Sequence, residues 1–158
     1  MGLVRLVEIL GCLTQVDFID NPEDVEITSS GIQNNCSSLL QKVSRQLDEY
    51  FSGKRHLFKL PLKPQGTVFQ LSAWNSLLQI PFVITINYLQ QTLAIGNPRA
   101  VRAVGVANAR NPIPIIIPCH RVIGKKGSLT GYAGGMGRKK RLIELEVYAL
   151  TKELERIS

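Results

Sequence analysis

Cys119 and His120 stand side by side in the run Pro118-Cys119-His120-Arg121. A thiolate is the strongest nucleophile among protein side chains, but an unperturbed thiol is mostly protonated at neutral pH. An imidazole beside it can take the proton and raise the reactive fraction. Glu146 supplies a possible third member. Stepping 100° per residue from Leu142, the apolar arc Ile143, Leu145, Val147, Ala149 and Leu150 encloses this carboxylate, which places it where a core should be. An unpaired buried carboxylate costs several kcal/mol, so Glu146 needs a partner. Arg121 would make a structural ion pair with it. His120 would instead be fixed in one tautomer and stabilised when protonated, which completes a thiol–imidazole–carboxylate relay. The plainer alternative is a buried free cysteine beside a hydrogen-bonded histidine.

These groups need elements to hold them. From Asn111 to Gly124 the chain is apolar and carries Pro112, Pro114 and Pro118, which predicts a stiff, buried, extended segment ending at Cys119. A C-terminal helix is expected over about 137–157. Asn87 can cap a short helix from Tyr88 to Ile95 that Gly96 ends. Asn97 can cap again, with Pro98 at the first position of a helix reaching Asn108. Two helices joined so tightly form a helix-turn-helix. Its second helix is small along much of its surface, with Ala100, Ala103, Gly105 and Ala107, while Arg99, Arg102 and Arg110 carry charge. Such a helix can pack tightly on a neighbour or approach DNA closely, and the arginines favour DNA. Upstream, Thr67 can cap a helix carrying Phe69, Ala73, Trp74, Leu77 and Leu78. Lys54–Gly66 reads as an extended linker, 37–51 as a helix ended by Gly53, and Leu3–Leu10 and Cys12–Phe18 as paired strands before a break at Asn21–Asp24.

The 158 residues suffice for one domain or two lobes, and 44% hydrophobic with 20% charged is ordinary for a soluble protein. No apolar run is long enough to span a membrane, and the first residues lack a cleavage-site pattern, so neither membrane partner nor secretion is expected. Three cysteines are too few and odd for a disulfide framework and point to a reducing, cytoplasmic setting, or a nuclear one in a eukaryote. Cys12, Cys36 and His56 lack ligand spacing, so no metal is expected. A net charge of +7 suggests a polyanionic partner.

Four short runs, in order and spacing, resemble the O6-alkylguanine-DNA alkyltransferases. They are Arg102-Ala103-Val104-Gly105, Asn111-Pro112-Ile113-Pro114, Pro118-Cys119-His120-Arg121-Val122 and Gly131-Tyr132-Ala133-Gly134-Gly135. Leu47-Asp48-Glu49-Tyr50-Phe51 and Pro64-Gln65-Gly66-Thr67 extend the likeness upstream. The resemblance implies an α/β (α+β) fold. Residues 1–62 would form a small ribonuclease H-like lobe, and 63–158 a helical lobe with a winged-helix-like helix-turn-helix that binds DNA and transfers the alkyl group.

It further implies that Cys119 accepts the alkyl group, that His120 is its base through a water, and that Glu146 orients the imidazole. Arg102 resembles the finger entering the base stack, on a helix whose Ala100, Ala103 and Gly105 allow close approach. Tyr88 resembles the tyrosine that helps turn the nucleotide out, and Asn111 the residue fixing the turn before the nucleophile. Pro114 and Tyr132 would wall the base pocket, with backbone at Val122 and Ala133 reading the guanine edge. The expected activity is stoichiometric repair of O6-alkylguanine, and less readily O4-alkylthymine, in double-stranded DNA, by a monomer needing no cofactor. A non-enzymatic sensor of alkylated DNA is the main alternative, and the presence of Cys119 speaks against it. A helix-turn-helix regulator with an incidental thiol is another. One departure stands out. Where the family has a glycine-containing turn and a serine before the tyrosine, this chain has Phe82-Val83-Ile84-Thr85-Ile86-Asn87.

Overall fold

Alternating apolar residues build an antiparallel hairpin from β1 (Leu3–Ile9) and β2 (Cys12–Ile19), which turns through Leu10 and Gly11, both at positive φ. The structure, a computed structural model, describes residues 2–21 and 36–157, so most of the expected break at Asn21–Asp24 lies outside the described residues. Helix α1 (Ser38–Phe51) is capped by the Ser37 hydroxyl and lays Val43, Leu47 and Tyr50 into the core. The following stretch is more than a linker. Pro61 and Lys63 exchange backbone hydrogen bonds of 2.9 Å with Leu13, and Lys59 N donates to the Gln46 side chain at 3.0 Å. It therefore extends the sheet edge of the N-terminal lobe.

Thr67 and Gln70 form a reciprocal capping box at the start of α2 (Val68–Leu77), whose Trp74 indole donates to Ala107 O at 2.8 Å. Leu78, expected on the inner side, is instead 40% exposed at the helix end. A two-residue strand β3 (Ile86–Asn87) leads into α3 (Tyr88–Ala94), capped by Asn87 with Gln90. The next helix, α4 (Val101–Ala109), begins later than expected. Ala100 N donates to Asn97 O, which closes a turn with Pro98 at its second position, and the Asn97 side chain does not cap α4. A buried pair fixes the crossing of α3 and α4: Asn108 and Gln91 exchange side-chain hydrogen bonds of 2.7 and 3.2 Å.

The Ile113–Pro118 run is buried as expected but is not a strand. Its prolines remove the donors a ladder requires. The chain turns on itself, Ile117 N donating to Ile113 O at 2.9 Å with Ile115 at a φ of 75°. A single 3-10 turn (Cys119–Arg121) follows, then β4 (Val122–Ile123), which pairs in parallel with β3. That pairing ties the helix-turn-helix to the segment carrying Cys119. The last helix, α5 (Met136–Ile157), turns Leu142, Glu146 and Ala149 inward; Val147, placed in the apolar arc by its angle, is 48% exposed. The result is a small sheet-and-helix N-terminal lobe against a helical C-terminal lobe, both contributing to one core.

Candidate active site

Cys119 and His120 are both on the 3-10 turn and both essentially buried, with Cys119 1% exposed. Three features hold this turn in place. Pro118 O accepts from Arg121 N, β4 anchors its far end to β3, and Asn111 braces its near end. The Asn111 amide donates to Ile117 O at 2.8 Å and to Cys119 Sγ at 3.2 Å, while its Oδ1 accepts from Ile113 N at 3.0 Å. One buried side chain thus ties the turn after α4 to the sulfur itself.

Glu146 meets both partners that its sequence position allowed. Its Oε1 lies 2.9 Å from His120 Nε2, and the Arg121 guanidinium donates to both carboxylate oxygens at 2.9–3.2 Å. Arg121 also donates to Ile80 O at 2.6 Å. Burial alone would raise the Glu146 carboxyl, but hydrogen bonds from His120 and Arg121 hold it down at about 2. A carboxylate accepts only, so His120 Nε2 carries the proton and Nδ1 is the basic atom. Burial lowers the His120 pKa below 6.5, opposed by Glu146, so the ring is neutral near pH 7. Burial also pushes the Cys119 thiol up to about 11, against the pull of the Asn111 hydrogen bond and the Lys139 charge. Among the described residues no direct hydrogen bond joins Cys119 to His120.

Two buried polar atoms have no partner among the described residues: His120 Nδ1 and the Tyr132 hydroxyl. Tyr132 is raised far above the ordinary phenol by burial and then by the Cys119 charge, so its hydroxyl keeps its proton beside the sulfur. Buried polar groups without a partner are rare in folded proteins, and a catalytic role is one reason they persist. Tyr132 packs against Phe18 of β2, and Gly134 between them has no room for a side chain, since a Cβ there would meet Phe18 at 2.5 Å. Pro114 is buried beside this segment's isoleucines, whereas Ala133 is exposed. Val122 is buried, and its carbonyl already accepts from Lys139 Nζ at 2.6 Å.

Lys139 was hidden in the sequence. The run Arg138–Arg141 is four basic residues in a row, yet Lys139 is fully buried and spans Val122 O and Thr130 O, the latter at 2.7 Å. The signal was its position seven residues before Glu146, on the same helix face. Tyr50 is legible in the sequence as an apolar position of α1 and as part of the Leu47–Phe51 likeness, with no role at the site attached to it. Tyr88, half-buried at the start of α3, donates to Thr130 O at 2.8 Å. Arg102 and Ala103 are exposed on α4, with Ala100 and Gly105 half-buried at its start and middle.

The chain matches two family models: "6-O-methylguanine DNA methyltransferase, ribonuclease-like domain" over residues 10–64 and "6-O-methylguanine DNA methyltransferase, DNA binding domain" over residues 68–148. A methylated-DNA–protein-cysteine methyltransferase of Methanosarcina barkeri is 49% identical over 134 residues, covering 85% of this chain and 84% of that one. The constitutive methylated-DNA–protein-cysteine methyltransferase of Bacillus subtilis is 44% identical, covering 92% of this chain and 81% of its own length. Among solved structures, the Mycobacterium tuberculosis OGT in complex with DNA superposes with a TM-score of 0.79 at 40% identity, over 92% of this chain and 87% of that one.

Proposed function

The chain belongs to the 6-O-methylguanine DNA methyltransferase family, and we propose that it repairs DNA by moving the alkyl group of O6-alkylguanine, and less readily of O4-alkylthymine, onto Cys119. The observation that carries this reading is the His120–Glu146 pair beside a buried cysteine, with His120 Nδ1 left as an unpartnered base.

An O6-alkyl carbon lies within the base stack, so a side chain reaches it only after the nucleotide is flipped out, at a cost of a few kcal/mol. Residues 63–158 carry the DNA-binding and transfer roles, on the scaffold of residues 1–62. Exposed Arg102 enters the vacated stack, and the small Ala100, Ala103 and Gly105 let α4 approach the groove closely. The extruded base enters between Pro114, Tyr132 and the Val122–Ala133 backbone. Tyr88 turns it in, exchanging its bond to Thr130 O for one to the purine.

His120 Nδ1, neutral at pH 7 and held by Glu146, takes the thiol proton through a water. A C–S bond then forms as the C–O6 bond breaks, and the electron pair leaves on guanine, which takes up a proton. Asn111 holds the sulfur in line. The resting thiol is raised by burial, so it depends on His120 to take its proton. The product is a thioether that no group in the site can cleave, which makes the reaction one turnover per chain. A nucleophilic thiol must stay reduced, which favours the cytoplasm, or the nucleus in a eukaryote. No helix of the described residues is long and apolar enough to cross a membrane.

Intact-mass analysis after mixing with an O6-methylguanine duplex tests the reading. One added methyl, mapped to Cys119 and absent from Cys119→Ala, is expected. Lesion binding with no adduct would make the protein a sensor instead.

A further inference from the structure

Glu146 is clamped by more than the lobe that carries it. Its Oε1 accepts from the Tyr50 hydroxyl at 2.8 Å, and Oε2 accepts from Val83 N at 2.9 Å. Val83, His120 and Arg121 all belong to the C-terminal lobe. Tyr50 lies in the last turn of α1 and belongs to the N-terminal lobe, so it alone among these donors crosses between the two. Its ring is 1% exposed and wedged among Phe51, Phe58 and Phe82, with centroids 5.3–6.2 Å away. Burial and the neighbouring Glu146 charge push its phenol far above the ordinary range, so it remains a donor at every working pH. The same hydroxyl lies 3.5 Å from His120 Nε2.

We infer that Tyr50 is a positioning residue for alkyl transfer, through which the N-terminal lobe sets the orientation and basicity of the His120–Glu146 pair. This rests on the function proposed above. A neutral donor on Oε1 disperses carboxylate charge without adding a competing cation. It also fixes the carboxylate rotamer, so that Oε1 faces Nε2. Without the hydroxyl, more negative charge falls on the imidazole, whose proton affinity rises. The base is then protonated at higher pH and its ring less firmly aimed.

The test is single-turnover transfer from a methylated duplex across pH, for the wild type, Tyr50→Phe and Phe58→Leu. Tyr50→Phe keeps the ring and its packing. Phe58→Leu loosens the same aromatic cluster without touching the hydroxyl. Tyr50→Phe is expected to lower the transfer rate roughly tenfold, to move the acid limb of the profile to higher pH, and to leave duplex affinity unchanged. Phe58→Leu should lower the melting temperature and leave the acid limb in place. A wild-type rate and profile in Tyr50→Phe overturns the inference, as does an equal shift in both variants, which would make Tyr50 a packing residue. Failure of the wild type itself to take a methyl group would instead remove the proposed function, a separate and visible outcome.

Discussion

Cys119 and His120 are adjacent in sequence, yet their environments oppose their reactivity in the resting protein. The thiol is raised to about 11 by burial, and the imidazole is depressed by the same burial. Both are uncharged at pH 7, so the site is poised rather than ionised, and the transfer rate should hold until the pH falls below the ordinary histidine value. The effect on stability has the same sign. An unfolded His120 takes up a proton near 6.5 and the folded one resists it, so stability is full above that pH and declines below it. Glu146 adds to the decline between 4.5 and about 2, where the unfolded carboxyl protonates and the folded one does not. Urea unfolding should therefore give a lower free energy at about pH 5.5 than at about pH 7.5, and equal values would contradict the buried neutral histidine. Asn111→Ala removes the donor to Cys119 Sγ and strands Ile113 N in the core. A loss of about 1–3 kcal/mol with slower transfer is expected, read by denaturation and by single-turnover kinetics. At this scale Cys119, His120 and Glu146 were legible because their chemistry conflicts with their surroundings. Lys139 and Tyr50 were not, because one sits in a charged run and the other in an apolar stripe, each fitting its bland role.

Among the elements, capping explains what the sequence made readable. Ser37, Thr67 and Asn87 start their helices as their side chains dictate, since each accepts from a backbone N–H three residues on. Asn97 does not cap because residues 97–100 close a turn with Pro98 at its second position, and α4 starts only after Ala100. The apolar run before Cys119 is buried as its composition demands, but it turns on itself at Ile115 rather than extending. The turn that carries Val83 shows where the fold absorbs strain. Val83 sits at a φ of 70°, a conformation that disfavours a β-branched residue, yet its N–H holds Glu146 Oε2. Left-handed strain of this kind costs about 1–3 kcal/mol. Val83→Gly keeps the amide and should be neutral or stabilising by up to about 1 kcal/mol, after the greater chain entropy of glycine is deducted. A clear loss of melting temperature would contradict the strain. On α4, Arg102→Ala should slow repair in duplex DNA far more than reaction with free O6-methylguanine base. Equal loss on both substrates would contradict its entry into the stack.

Across the whole molecule, the two lobes share one core and meet at the site. Phe18 of β2 packs on Tyr132, and Tyr50 of α1 reaches Glu146. The order of motifs made the lobes legible in the sequence. Their joint construction of the acid–base pair was not, because it depends on contacts between residues 96 positions apart. The net charge of +7 predicts that duplex affinity falls steeply as salt rises, while the transfer rate from bound lesion stays nearly constant. Fluorescence-anisotropy titrations across salt check it, and salt-insensitive binding would contradict an electrostatic hold on phosphates. The central claim is that one buried sulfur accepts the alkyl group and keeps it. Titrating a fixed amount of protein with excess O6-methylguanine duplex, and counting restored guanines, tests this most directly. A plateau at one guanine restored per chain, with Cys119 fully methylated, is expected. Repair that continues past that plateau, or stops there with Cys119 unmodified, would contradict it.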